Sequence, residues 1–287
     1  MKTVRRILIV LSLIISACAC AVGISAWKHQ RGFIDTVRFH WESISESIDI
    51  AGIFRYLTDP DYKKPDDSSV REQPVSGKYY NISEISEPVF IPEWDGSASY
   101  VPVNDNVPFF SDIKTDYESS FIYYSEPDGL GRTGPASAVL GAELMPEGDR
   151  DDYDERLAIT PSGYAQQKYP EIIEHEYLYN RCHLIAWQLG GDTIGPNLFT
   201  GTQNLNFNGM LPFENQTAQY LRFHPYDRVL YRVTPVYNGQ DLTCLGVLME
   251  ACSIYPPRSF SFNVFVYNEQ PGIIIFHSDG SSIIKPD

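Results

Sequence analysis

Tyr179-Asn180-Arg181-Cys182-His183-Leu184-Ile185 sets a guanidinium, a thiol and an imidazole beside an apolar flank. Two amides follow, at Asn197 and Asn206, and a carboxylate at Glu214. A neutral imidazole at His183 takes up a proton near physiological pH, because an unperturbed histidine titrates at about 6.5. The amide oxygen of Asn206 suits Mg²⁺, which prefers oxygen ligands and keeps several of its waters, and Glu214 either joins it or orients one of those waters. Arg181 suits an anionic group, either bound to it or bracing the segment around it. Each residue also has an ordinary structural reading. A lone histidine in a strand is usually packed, an asparagine often caps a turn, and a glutamate in the first turn of a helix favours the dipole. Cys182 as a nucleophile is a poor rival, since no cysteine-centred motif accompanies it and adjacent strand side chains point to opposite faces.

The flanking segments supply the elements that must hold these groups. Arg228 to Tyr237 and Leu242 to Cys252 read as two strands, with Asn238-Gly239 between them as a hairpin turn. Phe262 to Tyr267 and Gly272 to His277 read as two more, punctuated by Pro271-Gly272 and Asp279-Gly280. Tyr100 to Val103 and Val107 to Phe110 read as extended chain leading into the domain. Within this part helical spacing is confined to Pro212 to Arg222, where Phe213, Ala218, Tyr220 and Leu221 form an apolar face, and to Ser162 to Ile173. The fold class is therefore α+β, with an antiparallel sheet as its core.

The stretch from Tyr179 to Leu221 resembles the catalytic core of the DNA/RNA non-specific endonucleases, a family built on a ββα-metal (His-Me finger) motif. Its signature runs Asp-Arg-Gly-His, an Asn-Ile/Leu turn, a metal-binding Asn nine residues after that turn's Asn, then a Glu on the next helix. Arg181 and His183 match the first element, Asn197 the turn, Asn206 the metal ligand and Glu214 the acidic position. Asn180 stands where Asp is usual and Cys182 where Gly is usual. The resemblance extends over roughly Tyr100 to the C-terminus. It implies hydrolysis of DNA, and of RNA, with His183 as general base and Arg181 beside the scissile phosphate. Asn206 and Glu214 would serve one Mg²⁺, for which Mn²⁺ substitutes, and Arg132 and Asn197 would contact substrate; Arg150 is a further candidate. The other histidines, at 29, 40, 175, 224 and 277, have no partner spacing.

Composition bounds this reading. The chain has 287 residues, 43% hydrophobic and 21% charged, enough for a sizeable core. A formal charge of -15 opposes tight non-specific binding to nucleic acid, which normally draws on lysine and arginine. That charge favours a rival, a surface DNA-binding or uptake protein that keeps the nuclease fold without its catalysis. Five cysteines are too few and scattered for a disulfide scaffold, and buried thiols are expected. Lys2, Arg5 and Arg6 precede an uncharged run from Ile7 to Trp27, long enough to cross a bilayer, which sends the following chain outside the cytoplasm. Residues 1–27 thus read as a signal anchor, as a lipoprotein signal centred on Ile15-Ser16-Ala17-Cys18, or as a signal cleaved for full secretion. Residues 28–98 read as a stalk, with a short helix over Phe39 to Tyr56, and 99–287 as the nuclease domain.

Overall fold

The computed structural model describes residues 76–110, 119–148, 158–255 and 257–286. The N-terminal apolar run, the helix expected over Phe39 to Tyr56, and Arg150 lie outside them. Among the described residues no helix is long and apolar enough to cross a membrane.

The core is a six-stranded sheet in the order β3-β10-β9-β8-β5-β4, antiparallel at every pairing. Its strands are β3 (Tyr100–Pro102), β4 (Phe121–Tyr124), β5 (Ala136–Leu140), β8 (Val229–Val236), β9 (Gly246–Ser253) and β10 (Ser261–Tyr267). Every residue of β8 and β9 is buried, so both faces of the sheet are covered. Side chains alternate across a strand. Tyr231 and Val233, Val247 and Met249, and Phe262 and Val264 face one core. Val236, Leu248, Phe265 and Tyr267 face a second.

The first core is closed by a ββα unit. It consists of the antiparallel pair β6 (Tyr179–His183) and β7 (Leu198–Thr202), followed by a helix, α1 (Leu211–Phe223). Cys182, Phe199, Leu205, Phe213, Ala218 and Leu221 bring its apolar side onto the sheet. Each large side chain buried there contributes about 1.5–3 kcal/mol. Gly209 lets the helix start approach β10, because a Cβ there would lie 2.2 Å from Cγ1 of Val266.

The second core is closed by the hairpin of β1 (Gly77–Tyr80) and β2 (Val89–Pro92), through Ile82, Val89 and Ile91. The folded part therefore begins upstream of residue 99, and the stalk expected over 28–98 is too long at its C-terminal end. Buried and half-buried residues alternate along β2, as a strand laid on a sheet requires.

The expected hairpin is present in β8 and β9, though β9 starts at Gly246 because Thr243 bonds instead to the carbonyl of His277. Residues 272–277 do not join the main sheet. They form β11 (Ile273–Phe276), paired with β12 (Ser281–Ile284) in a separate hairpin. Ser162 to Ile173 is not a helix. Gly163 takes a φ of +63° and Lys168 bridges to Tyr177, so the segment runs as turns and extended chain.

Candidate active site

On β6, Cys182 points into the core, so Arg181 and His183 project from the other face. Gly201 on β7 explains how the thiol fits: a Cβ there would meet Cys182 Sγ at 2.5 Å. His183 is 8% exposed, and its Nε2 lies 3.3 Å from Oγ1 of Thr193.

The chain leaves His183 through a short 3-10 turn, Trp187–Leu189, and reverses at Gly190 and Gly191. A Cβ at Gly191 would lie 1.8 Å from the Ile185 carbonyl oxygen, so only glycine fits. Asn197, fully buried, fastens this loop. Its Oδ1 accepts from the Ile185 N–H at 2.9 Å, and its Nδ2 donates to the carbonyls of Ile185 at 3.0 Å and Asp192 at 2.8 Å. The loop thereby returns Thr193 to the imidazole.

The helix supplies the other wall. Asn204–Met210 is a π-helical segment running directly into α1, and the Leu211 N–H donates to the Asn206 carbonyl, an i to i+5 bond. Pro212 has no N–H to give residue 208, which removes a regular α-turn at the junction. The wide turns matter for aim. An all-α path from 206 to 214 rotates the side chain by about 80° beyond whole turns, whereas five π steps of roughly 80° followed by three α steps return it close to the starting direction. Asn206 and Glu214 accordingly line one cleft with His183, of about 140 Å³. Among the described residues the Asn206 side chain has no hydrogen-bond partner, and Glu214 is 9% exposed.

The donor set fits a hard divalent cation. Asn206 and Glu214 offer oxygen, and no cluster of three or more His, Cys, Asp or Glu occurs among the described residues. Two protein oxygens would leave the rest of such an ion's shell to water and substrate.

Three expected site residues stand outside the cleft. Arg181 donates from Nε to the Ile159 carbonyl at 2.5 Å and from Nη1 to the Tyr164 hydroxyl at 3.1 Å, with its guanidinium 4.3 Å from the Tyr164 ring centre. It braces β6 against the preceding segment. Arg132 binds Asp128 at 2.7 Å and the carbonyls of Gly239 and Asp241, and lies over the Tyr237 ring. It fixes the β8–β9 turn region and does not line the cleft. Asn197 is buried in the loop it holds and likewise does not line the cleft. The cysteine rival also falls, because burial, then the negative charge of Glu214, pushes the Cys182 thiol well above its usual range.

Thr193, Trp187 and Phe207 line or adjoin the cleft without having been singled out from sequence. For Phe207 a signal existed: an aromatic set between two asparagines at the start of an amphipathic helix. Nothing local marks Thr193, which reaches His183 only through the loop reversal.

Residues 112–253 match the sequence model of the family described as DNA/RNA non-specific endonuclease. A deoxyribonuclease of Streptococcus dysgalactiae subsp. equisimilis is 31% identical over 205 residues, which span 58% of this chain and 62% of that protein. The match thus spans less than two thirds of that relative's length. The crystal structure of NucA from Streptococcus agalactiae with magnesium ion bound is similar in fold, with a TM-score of 0.56 at 20% identity, over 73% of this chain and 90% of that one. The same protein with no metal bound gives 0.55 at 21% identity, over 74% and 91%.

Proposed function

Because residues 112–253 belong to the DNA/RNA non-specific endonuclease family, we propose that this chain is an extracytoplasmic, metal-dependent endonuclease that hydrolyses DNA phosphodiester bonds. The observation that carries the reading is the convergence of His183, Asn206 and Glu214 on one cleft. The deoxyribonuclease relative supports DNA as substrate, and the basic residues before the Ile7 to Trp27 run support export with a membrane tether.

The chemistry assigns each side chain a task. His183 takes a proton from a water placed against the phosphate. The water oxygen bonds to phosphorus, the P–O3′ bond breaks, and the departing 3′ oxygen takes up a proton, leaving a 5′-phosphate end. Thr193, 3.3 Å from Nε2, limits the rotation of the ring that receives the proton. Asn206 and Glu214 would hold the cation, with Mg²⁺ preferred and Mn²⁺ accepted. When bound, it supplies positive charge to the phosphate oxygens and the 3′ oxygen. Arg181 serves by keeping β6, and so His183, in place.

The test is incubation of the purified chain with plasmid, linear DNA and RNA in Mg²⁺ or Mn²⁺, followed by end-group analysis. DNA degraded to 5′-phosphate ends, and protected by EDTA, is the expected result, and the RNA lane sets the breadth of substrate. Intact DNA across pH and both metals overturns the proposal.

A further inference from the structure

The cleft has an apolar half that the hydrolytic step does not use. Trp187, Phe207, Ala186 and Leu211 line it, and among the described residues neither lysine nor arginine does. In a chain of net charge -15, this lining offers little of the usual grip on a polyanion, the release of counterions by basic side chains. A contact with the bases suits such a lining better than one with the phosphates.

Phe207 is placed for it. It follows Asn206 in the π-helical segment and is 42% exposed, where most large side chains near the site are buried. The ring of His175 lies 5.7 Å from it at 54°, backing it from the side. Trp187 lies four residues beyond His183 and lines both this cleft and an adjoining groove of about 300 Å³, which runs past Gly190, Gly191, Asp192 and Thr193. A strand passing from groove to cleft crosses the indole beside the imidazole.

We propose that Phe207 and Trp187 are a stacking platform for nucleobases on either side of the scissile phosphate, so that the site takes unpaired or locally opened strands. This deepens the nuclease reading above and rests on it. Every base has a π face, so stacking holds a strand without regard to sequence and without counterion release. In a regular duplex those faces are covered by neighbouring bases, and a stacked substrate must first be opened.

The experiment compares kcat/KM, in Mg²⁺, on oligothymidylate and on a strand of the same length with abasic tetrahydrofuran units. Wild type should prefer the base-bearing strand. Phe207→Ala should lower that preference about tenfold, mainly through KM, and Phe207→Tyr, which keeps the ring, should retain it. An unchanged preference in Phe207→Ala overturns the platform, as does a Phe207→Tyr loss equal to that of alanine, or a wild type indifferent to bases. A wild type inactive on both strands overturns the nuclease reading itself and this inference with it.

Discussion

Replacing Asn197 with alanine should destabilise the domain by about 3 kcal/mol, because it deprives Ile185 of both backbone partners in a fully buried place. Each buried group left unsatisfied costs about 1–3 kcal/mol, and the Asp192 carbonyl adds little because that residue is exposed and rehydrates. In a domain near 200 residues this lowers Tm by roughly 6–12 °C. Asn197→Asp sharpens the test. The carboxylate keeps the acceptor for the Ile185 N–H but sets negative charge against two carbonyl oxygens that now receive a donor. Its folded pKa should rise above the unfolded value of about 3.9. A group so raised gives stability that is present below the unfolded pKa and lost as pH climbs towards the folded one. Asn197→Asp should therefore lie closer to wild type at pH 4 than at pH 7, while the deficit of Asn197→Ala stays constant. Urea unfolding followed by tryptophan fluorescence measures both. A deficit under about 1 kcal/mol for alanine, or no pH dependence of the aspartate deficit, refutes the role given to this amide.

Two further outcomes are expected. Arg232 meets the buried Glu250 at 2.7 Å beneath the second face of the sheet, with the Phe109 N–H on the other carboxylate oxygen. Glu250→Ala should cost about 3–5 kcal/mol, and the paired change Arg232→Met with Glu250→Leu much less, because a stranded charge is worse than none; equal losses in urea unfolding would contradict this. Burial pushes the Cys244 thiol up to about 12 and the Cys182 thiol well above its usual range. The unfolded thiols ionise first, so stability should hold up to about pH 8.5 and then fall by about 1.4 kcal/mol per pH unit for each thiol. At pH 8 neither should be alkylated until urea unfolds the domain, and rapid native labelling of Cys182, located by mass spectrometry, would contradict its burial.

The parts legible in the sequence are those in which one local pattern does one job. The α1 helix shows an apolar stripe, β8 and β9 show long apolar runs around Asn238-Gly239, and the ordered set Arg181, His183, Asn206 and Glu214 marks the ββα unit. What stayed hidden depends on contacts made across the chain. Arg132 is taken up by carbonyls more than a hundred residues away, and Asn197 by a loop that bends back only because Gly191 permits it. Both side chains look free to meet a phosphate when only their types are known. The β1–β2 hairpin was hidden for a similar reason: its strands are short, and their apolar positions gain meaning only against Leu248 and Phe265. Pro212 accompanies the π turn at Asn206, yet the consequence, one face shared by Asn206 and Glu214, appears only when both walls of the cleft are in place.

The most direct test of joint action by His183 and Asn206 is the rate of plasmid cleavage as Mg²⁺ is titrated, for wild type, His183→Ala and Asn206→Ala. We expect wild type to saturate with Mg²⁺ and His183→Ala to fall by about 10²–10⁴ at every concentration. Asn206→Ala should require more Mg²⁺ to reach its plateau. Wild-type rates in His183→Ala, or an Mg²⁺ dependence untouched by Asn206→Ala, would show that these two side chains do not carry the reaction.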